Sequence, residues 1–144
     1  MLTENQVVDA VCKYLESRGY RITQRLTTTQ RGHDIIAEKA DAGPVELHIE
    51  AKGETSDRLG SARFGKAFDT AQVGDHVASA FYCAASMFEE ASAKKGVRTG
   101  IALPDTSLHR THISRICGAL EKLGIALFWV GAKGEVSVEA PWSI

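Results

Sequence analysis

Two short segments constrain this chain more than anything else in it: Gly32-His33-Asp34-Ile35-Ile36-Ala37 and Glu46-Leu47-His48-Ile49-Glu50-Ala51-Lys52-Gly53. In the second, Val45, Leu47, Ile49 and Ala51 alternate with Glu46, His48, Glu50 and Lys52. A strand turns successive side chains to opposite faces, so Glu50 and Lys52 share one face and the apolar set takes the other. The run Asp41-Ala42-Gly43-Pro44 between the segments is strong turn chemistry. A hairpin follows, with Asp34 at the mouth of its first strand, near the Glu50–Lys52 face. Two carboxylates and an ammonium gathered there point to a hard divalent cation with a lysine beside it.

The rest of the chain is read around that hairpin. Residues 3–18 form an amphipathic helix, with Thr3 and Gln6 at capping-box spacing and Val7, Val8, Val11 and Leu15 as its apolar stripe. Glu4 lies on the same stripe. It either serves the helix dipole or belongs to a site. Strands are expected over 20–26, 33–39 and 45–52, and a polar loop over 54–61 follows the candidate site. A mostly helical stretch over 62–95 carries Phe64, Phe68, Val73, Val77 and Phe81, with a break near Gly74; Gln72 lies close to its inward face. A strand over 97–103, a helix over 107–123, an apolar strand over 125–130 and a last strand over 136–139 complete the order. Helices alternating with strands in the second half favour parallel pairing through right-handed crossovers. The expectation is one α/β domain over 1–144, a mixed β-sheet with helices on both faces.

Composition limits the function. The chain has 144 residues, 44% of them hydrophobic and 24% charged, and a formal net charge of −1. That charge argues against a broadly basic, sequence-independent DNA-binding surface, though not against a local basic strip. No apolar run reaches the length of a membrane span, and the first residues lack the pattern of a signal peptide. Cys12, Cys83 and Cys117 have no zinc-ligand spacing and read as buried free thiols of a cytoplasmic protein.

Asp34 followed by Glu50-Ala51-Lys52 resembles the PD-(D/E)xK nuclease superfamily, the restriction-endonuclease-like fold. Arg31-Gly32-His33-Asp34 with Ile49-Glu50-Ala51-Lys52-Gly53 looks most like the Mrr-like restriction endonucleases. The motif covers about residues 3–73, and the remainder is similar in element order. His33 stands where the namesake proline would be, a position that varies widely in the superfamily. The resemblance implies a restriction-endonuclease-like core and a DNA endonuclease using Mg²⁺, with Mn²⁺ able to substitute. It implies that Asp34, Glu50, the Ala51 carbonyl and Glu4 hold the metal. Lys52 would activate water or stabilise phosphate charge, and Gln72 would shape the site.

Other readings of the same residues stay open. Glu50 and Lys52 on their own describe a solvated strand face with a weak ion pair. Arg58, Arg63 and Lys66 flank the loop after the site and suit either phosphate contacts or a solvent-facing surface. His33 and His48 suit hydrogen-bonding or surface roles. His109 and His112, beside Arg110 and Arg115, read as a polar helix face, and Trp129 and Trp142 as packing. A non-catalytic nucleic-acid-binding module on the same fold, or a protein-interaction domain, is the alternative function. Cutting both strands of a duplex would call for a homodimer, and a near-neutral enzyme would borrow specificity from a protein partner.

Overall fold

The computed structural model describes every residue except 28, 41–44, 57 and 63. The expected turn at Asp41-Ala42-Gly43-Pro44 therefore lies outside the described residues. Helix α1 (Glu4–Ser17) leads into strands β1 (Arg21–Arg25), β2 (Ile35–Lys39) and β3 (Val45–Ala51). Helix α2 (Thr70–Ser92), strand β4 (Val97–Pro104), helices α3 (Ser107–Ser114) and α4 (Cys117–Leu123), and strands β5 (Ala126–Val130) and β6 (Val136–Glu139) follow. The six strands make one mixed sheet in sequential order, β1 to β6. β3, β4 and β5 run parallel, and the outer pairs are antiparallel. This is the α/β architecture expected.

Alternation within the strands sorts the core into two layers. Ile35, Ala37, Leu47, Ile49, Ala51, Ala102, Phe128 and Val130 pack with Val7, Val8, Val11 and Leu15 of α1. Ile101, Leu103, Leu127 and Trp129 face the other way, onto Val73, Val77, Ala80 and Ala84 of α2 and onto Ile113 and Leu120. Each layer buries side chains of the kind that contribute roughly 1.5–3 kcal/mol apiece. The β2–β3 register sets Ile35 against Ile49 and Ile36 against His48. A slip of one residue would turn Glu50 into the α1 layer, so apolar burial itself fixes the hairpin register.

Three expectations are corrected. The helical stretch over 62–95 begins only at Thr70, because Asp69 caps α2 through a capping box with Gln72. Phe64 is correspondingly half exposed, outside the helix. α2 is unbroken at Gly74, where a Cβ would stand 2.9 Å from Cε1 of His112; the glycine gives α3 room to approach. The helix over 107–123 is two helices, with Arg115 and Ile116 between them. Ser114 and Gly118 are weak helix formers, and the break lets Ile113 and Leu120 both enter the core. No helix among the described residues is long and apolar enough to cross a membrane.

Candidate functional site

The hairpin delivers Asp34, Glu50 and Lys52 to one place. Asp34 precedes β2, Glu50 is the penultimate residue of β3, and Lys52 follows the strand. The Ala51 N–H donates to Oδ2 of Asp34 at 2.8 Å, so the carboxylate also closes the end of the β2–β3 ladder. Lys52 Nζ donates to Oε1 of Glu50 at 2.5 Å. Glu50 is buried and Lys52 largely enclosed, with 9% and 15% of their side-chain surface exposed, so this pair is shielded from solvent and salt in a way a surface pair is not.

Burial pushes the Asp34 carboxyl up to about 6; the Ala51 N–H and Lys52 pull it down, while the charge and hydrogen bond of Glu50 add to the rise. Burial alone would lower the Lys52 pKa. The hydrogen bond and charge of Glu50, with Glu4 and Asp34 behind them, outweigh it and hold the ammonium above the ordinary lysine range. Lys52 is thus a fixed positive charge in this arrangement.

Glu4 comes to the same place from the opposite layer. Its Oε2 is 3.9 Å from Lys52 Nζ. The chain start is laced to the segment after β3: Leu2 N–H donates to Oε1 of Glu54 at 2.7 Å, and Glu54 N–H donates to the Leu2 carbonyl at 2.8 Å. Thr3 and Thr55 form a parallel bridge. Gly53 permits this contact, since a Cβ there would stand 2.5 Å from the Glu4 nitrogen.

Helix α2 closes the site, but not through the residue expected. Gln72 Oε1 accepts the Asp69 N–H at 3.0 Å, and the Gln72 N–H donates to Oδ1 of Asp69 at 3.0 Å. It is occupied in the helix cap. One turn on, His76 lies against the Gly53 backbone; burial, and then the Lys52 charge, lower its pKa. Two turns further, Cys83 lies beside Glu50 in a common hollow; burial and the Glu50 charge raise its thiol pKa. Neither was found from sequence. Their spacing of two helical turns places them on one face of α2, but only the true start of the helix says that this face meets β3.

Two hollows border the centre. The larger, about 660 Å³, is walled by Glu4, Gly53, Arg58, Phe68 and His76. The smaller, about 220 Å³, is walled by Glu50, His33, Tyr82 and Cys83. Arg58 is exposed on the wall of the first. Lys66 is exposed and gives its backbone carbonyl to the Thr55 hydroxyl at 2.9 Å. Arg63 lies outside the described residues. His33 and His48 hydrogen-bond through their Nδ1 atoms at 2.7 Å, and His48 Nε2 contacts Glu46.

A second polar group lies behind His76. His109 is 1% exposed and is no part of a polar helix face, contrary to the reading of α3 from sequence. Burial and the neighbouring His76 and His112 imidazoles push its pKa down to about 4. Its Nδ1 is 2.7 Å from the Thr106 hydroxyl. His76 Nδ1, His109 Nε2 and His112 Nε2 are buried with no hydrogen-bond partner among the described residues. The cysteines also differ from expectation: Cys12 is buried, Cys83 half-buried and Cys117 exposed, because Cys117 opens α4 on its outer side.

Among the described residues no three His, Cys, Asp or Glu side chains form a ready metal cage. The donor chemistry of Asp34 and Glu50 is nonetheless that of a hard cation. The neighbouring Glu50 charge raises the cost of ionising Asp34, a cost such an ion would offset, and Mg²⁺ is commonly held by one or two carboxylates plus water and substrate oxygens. A scan against protein-family models gave no match, and searches of curated proteins and of solved structures gave none either.

Proposed function

We propose that this protein is a metal-dependent nuclease of the PD-(D/E)xK type, with a restriction-endonuclease-like core, hydrolysing phosphodiester bonds in DNA. The observation that carries the reading is the joint placement of Asp34, Glu50 and Lys52 at one end of the β2–β3 hairpin, beside an open cleft. Asp34 and Glu50 would hold Mg²⁺ or Mn²⁺, with the Ala51 carbonyl completing the set that the resemblance implies. When bound, the ion supplies Lewis-acid stabilisation of the scissile phosphate. Lys52 holds a positive charge where phosphate oxygens gain negative charge in the transition state. Glu4 stands behind Lys52 and restrains it, and His76 forms the cleft wall next to both.

One observation favours a second reading, a DNA-binding module without catalysis. Asp34, Glu50 and Lys52 satisfy one another without any ligand, as a purely structural polar cluster would.

Calorimetry with Mg²⁺ and Mn²⁺ on wild type, Asp34→Asn and Glu50→Gln, with cleavage of plasmid and single-stranded DNA on the same samples, separates the two. The nuclease reading expects metal binding and cleavage that are lost together in both variants. Absence of both from the wild type at millimolar metal would leave the binding module.

A further inference from the structure

We propose that the nucleic acid acted on is a single strand. It lies across the Asp34–Glu50–Lys52 centre, from the cleft at Phe68 and His76 on one side to Tyr82 on the other, with a base held at each end. The inference rests on the nuclease reading for the identity of the centre, and it adds the substrate class.

The first argument is the pair of hollows. A phosphodiester placed at the centre has one neighbouring nucleotide on each side, and two separate hollows border it, one through Glu4, Gly53 and His76 next to Lys52 and one through Glu50. The larger, at about 660 Å³, falls in the range of about 300–1,000 Å³ typical of pockets that enclose a small organic ligand. Each hollow has an aromatic wall. Phe68 and His76 meet edge to face, with ring centroids 4.5 Å apart. Tyr82 is 75% exposed on α2, directly beside the hollow that Glu50 lines. A large ring left that open is costly in water and useful as a stacking platform, because every unpaired base has a π-face to offer. In a duplex the bases are already stacked on each other.

The second argument is charge. A duplex lays two phosphate backbones on a protein and requires a broad basic surface. Here the formal net charge is −1. The larger cleft is walled by Arg58 but also by Glu4, and the smaller carries Glu50 and Glu90 with Glu46 close behind the His33–His48 pair. Among the described lining residues the two hollows offer one guanidinium, Arg58, which with Lys52 suits the few phosphates of one strand and leaves no matching cation for a second backbone. A single strand also needs only one centre, so a second copy of the chain becomes unnecessary for cutting.

The test is fluorescence anisotropy with a labelled oligothymidylate and with a duplex of the same length, in Ca²⁺ to hold the metal site without turnover. Wild type, Tyr82→Ala and, as a control on the same helix, Phe88→Ala are compared. Expected are single-strand binding at least about 10-fold tighter than duplex and a loss of about 5- to 100-fold in Tyr82→Ala, with Phe88→Ala unchanged. Equal or tighter duplex binding overturns the inference, and so does a Tyr82→Ala protein that binds the single strand like wild type. Cleavage in Mg²⁺ separates this result from the nuclease reading. A duplex cut while the single strand is ignored overturns the strand path and leaves the nuclease. A single strand bound through Tyr82 yet uncut in Mg²⁺ and Mn²⁺ upholds the strand path and overturns the nuclease.

Discussion

Helix α2 presses on two buried polar groups that meet the cost of burial in opposite ways. At the end of β3, charge is retained and matched: Lys52 donates to Glu50, and Asp34 accepts from the Ala51 backbone. Between α2 and α3, charge is avoided: His109 is held neutral at ordinary pH, with its pKa lowered to about 4. His76 belongs to both groups, lying on Gly53 on one side and beside His109 on the other. The difference teaches that burial alone does not decide the state of a polar cluster. A counter-charge keeps Lys52 an ammonium despite its burial, whereas His109 has only burial and neighbouring imidazoles around it and stays neutral.

The largest expected break comes from removing the cation of the matched group. Lys52→Met leaves Glu50 beside Asp34 without a counter-charge, which should destabilise the fold by about 3 kcal/mol near neutral pH. The loss should shrink toward pH 5, where a proton can take the place of the ammonium. Urea unfolding at the two pH values measures this. An equal loss at both would mean that packing of the lysine stem, not its charge, is what matters.

Gly53→Ala strikes the join between the groups. Its Cβ would meet the Glu4 backbone at 2.5 Å, so α1 must shift. A loss of about 2 kcal/mol is expected, within the range for overpacking. If the nuclease reading holds, cleavage falls further than the stability change explains. A Tm and a cleavage rate on the same preparation decide it.

The pH dependence of stability sharpens the contrast itself. Asp34 is raised from 3.8 to about 6, so its contribution is fully present below the lower value and is lost as pH rises through 6. His109 is lowered from 6.5 to about 4, so its contribution is fully present above the higher value and is lost as pH falls toward 4. The two oppose each other between pH 4 and 6, each on the order of 1–2 kcal/mol after allowance for solvent screening. Wild-type stability should be nearly flat across that window. His109→Leu should make stability fall as pH rises, and Asp34→Asn should make it climb. Parallel slopes in the two variants would contradict the assignment.

The smallest effect is expected at Gly74→Ala. The added methyl meets the His112 ring at 2.9 Å, while alanine improves helix propensity by about 1 kcal/mol. The net change should stay within about 1 kcal/mol, with the His112 ring resonances in NMR moving more than those of the Lys52 neighbourhood.

The matched group was legible in the sequence and the neutral one was not, for a physical reason. Strand alternation has period two, so Glu50 and Lys52 had to share a face, and the hairpin had to bring Asp34 to them. Nothing comparable fixed α2. Asp69-x-x-Gln72 is a capping box written in the sequence, yet Phe64 and Phe68 extend the apolar pattern upstream and hide it. A helix begun upstream directs attention to Gln72, whereas a start at Thr70 turns His76 and Cys83 toward β3. His109 and His112 read as polar because histidine carries no fixed sign. Only the approach of α3 to Gly74 and His76 shows that they are interior. The segment after β3 follows the strand end that carries Glu50 and Lys52. Its lacing to Leu2 and Thr3 is a contact between distant parts of the chain that no local pattern records.

The three cysteines grade the molecule for a thiol reagent. Cys117 is exposed and should be alkylated first. Cys83 is half-buried, with its thiol pKa raised by burial and by Glu50, so it should react later and faster whenever Glu50 is drawn away by a cation. Cys12 is enclosed in the α1 layer with its pKa pushed up to about 11 and should react only when that layer opens. The unmodified chain therefore carries its own set of reporters, one for the surface, one for the carboxylate centre and one for the integrity of the core.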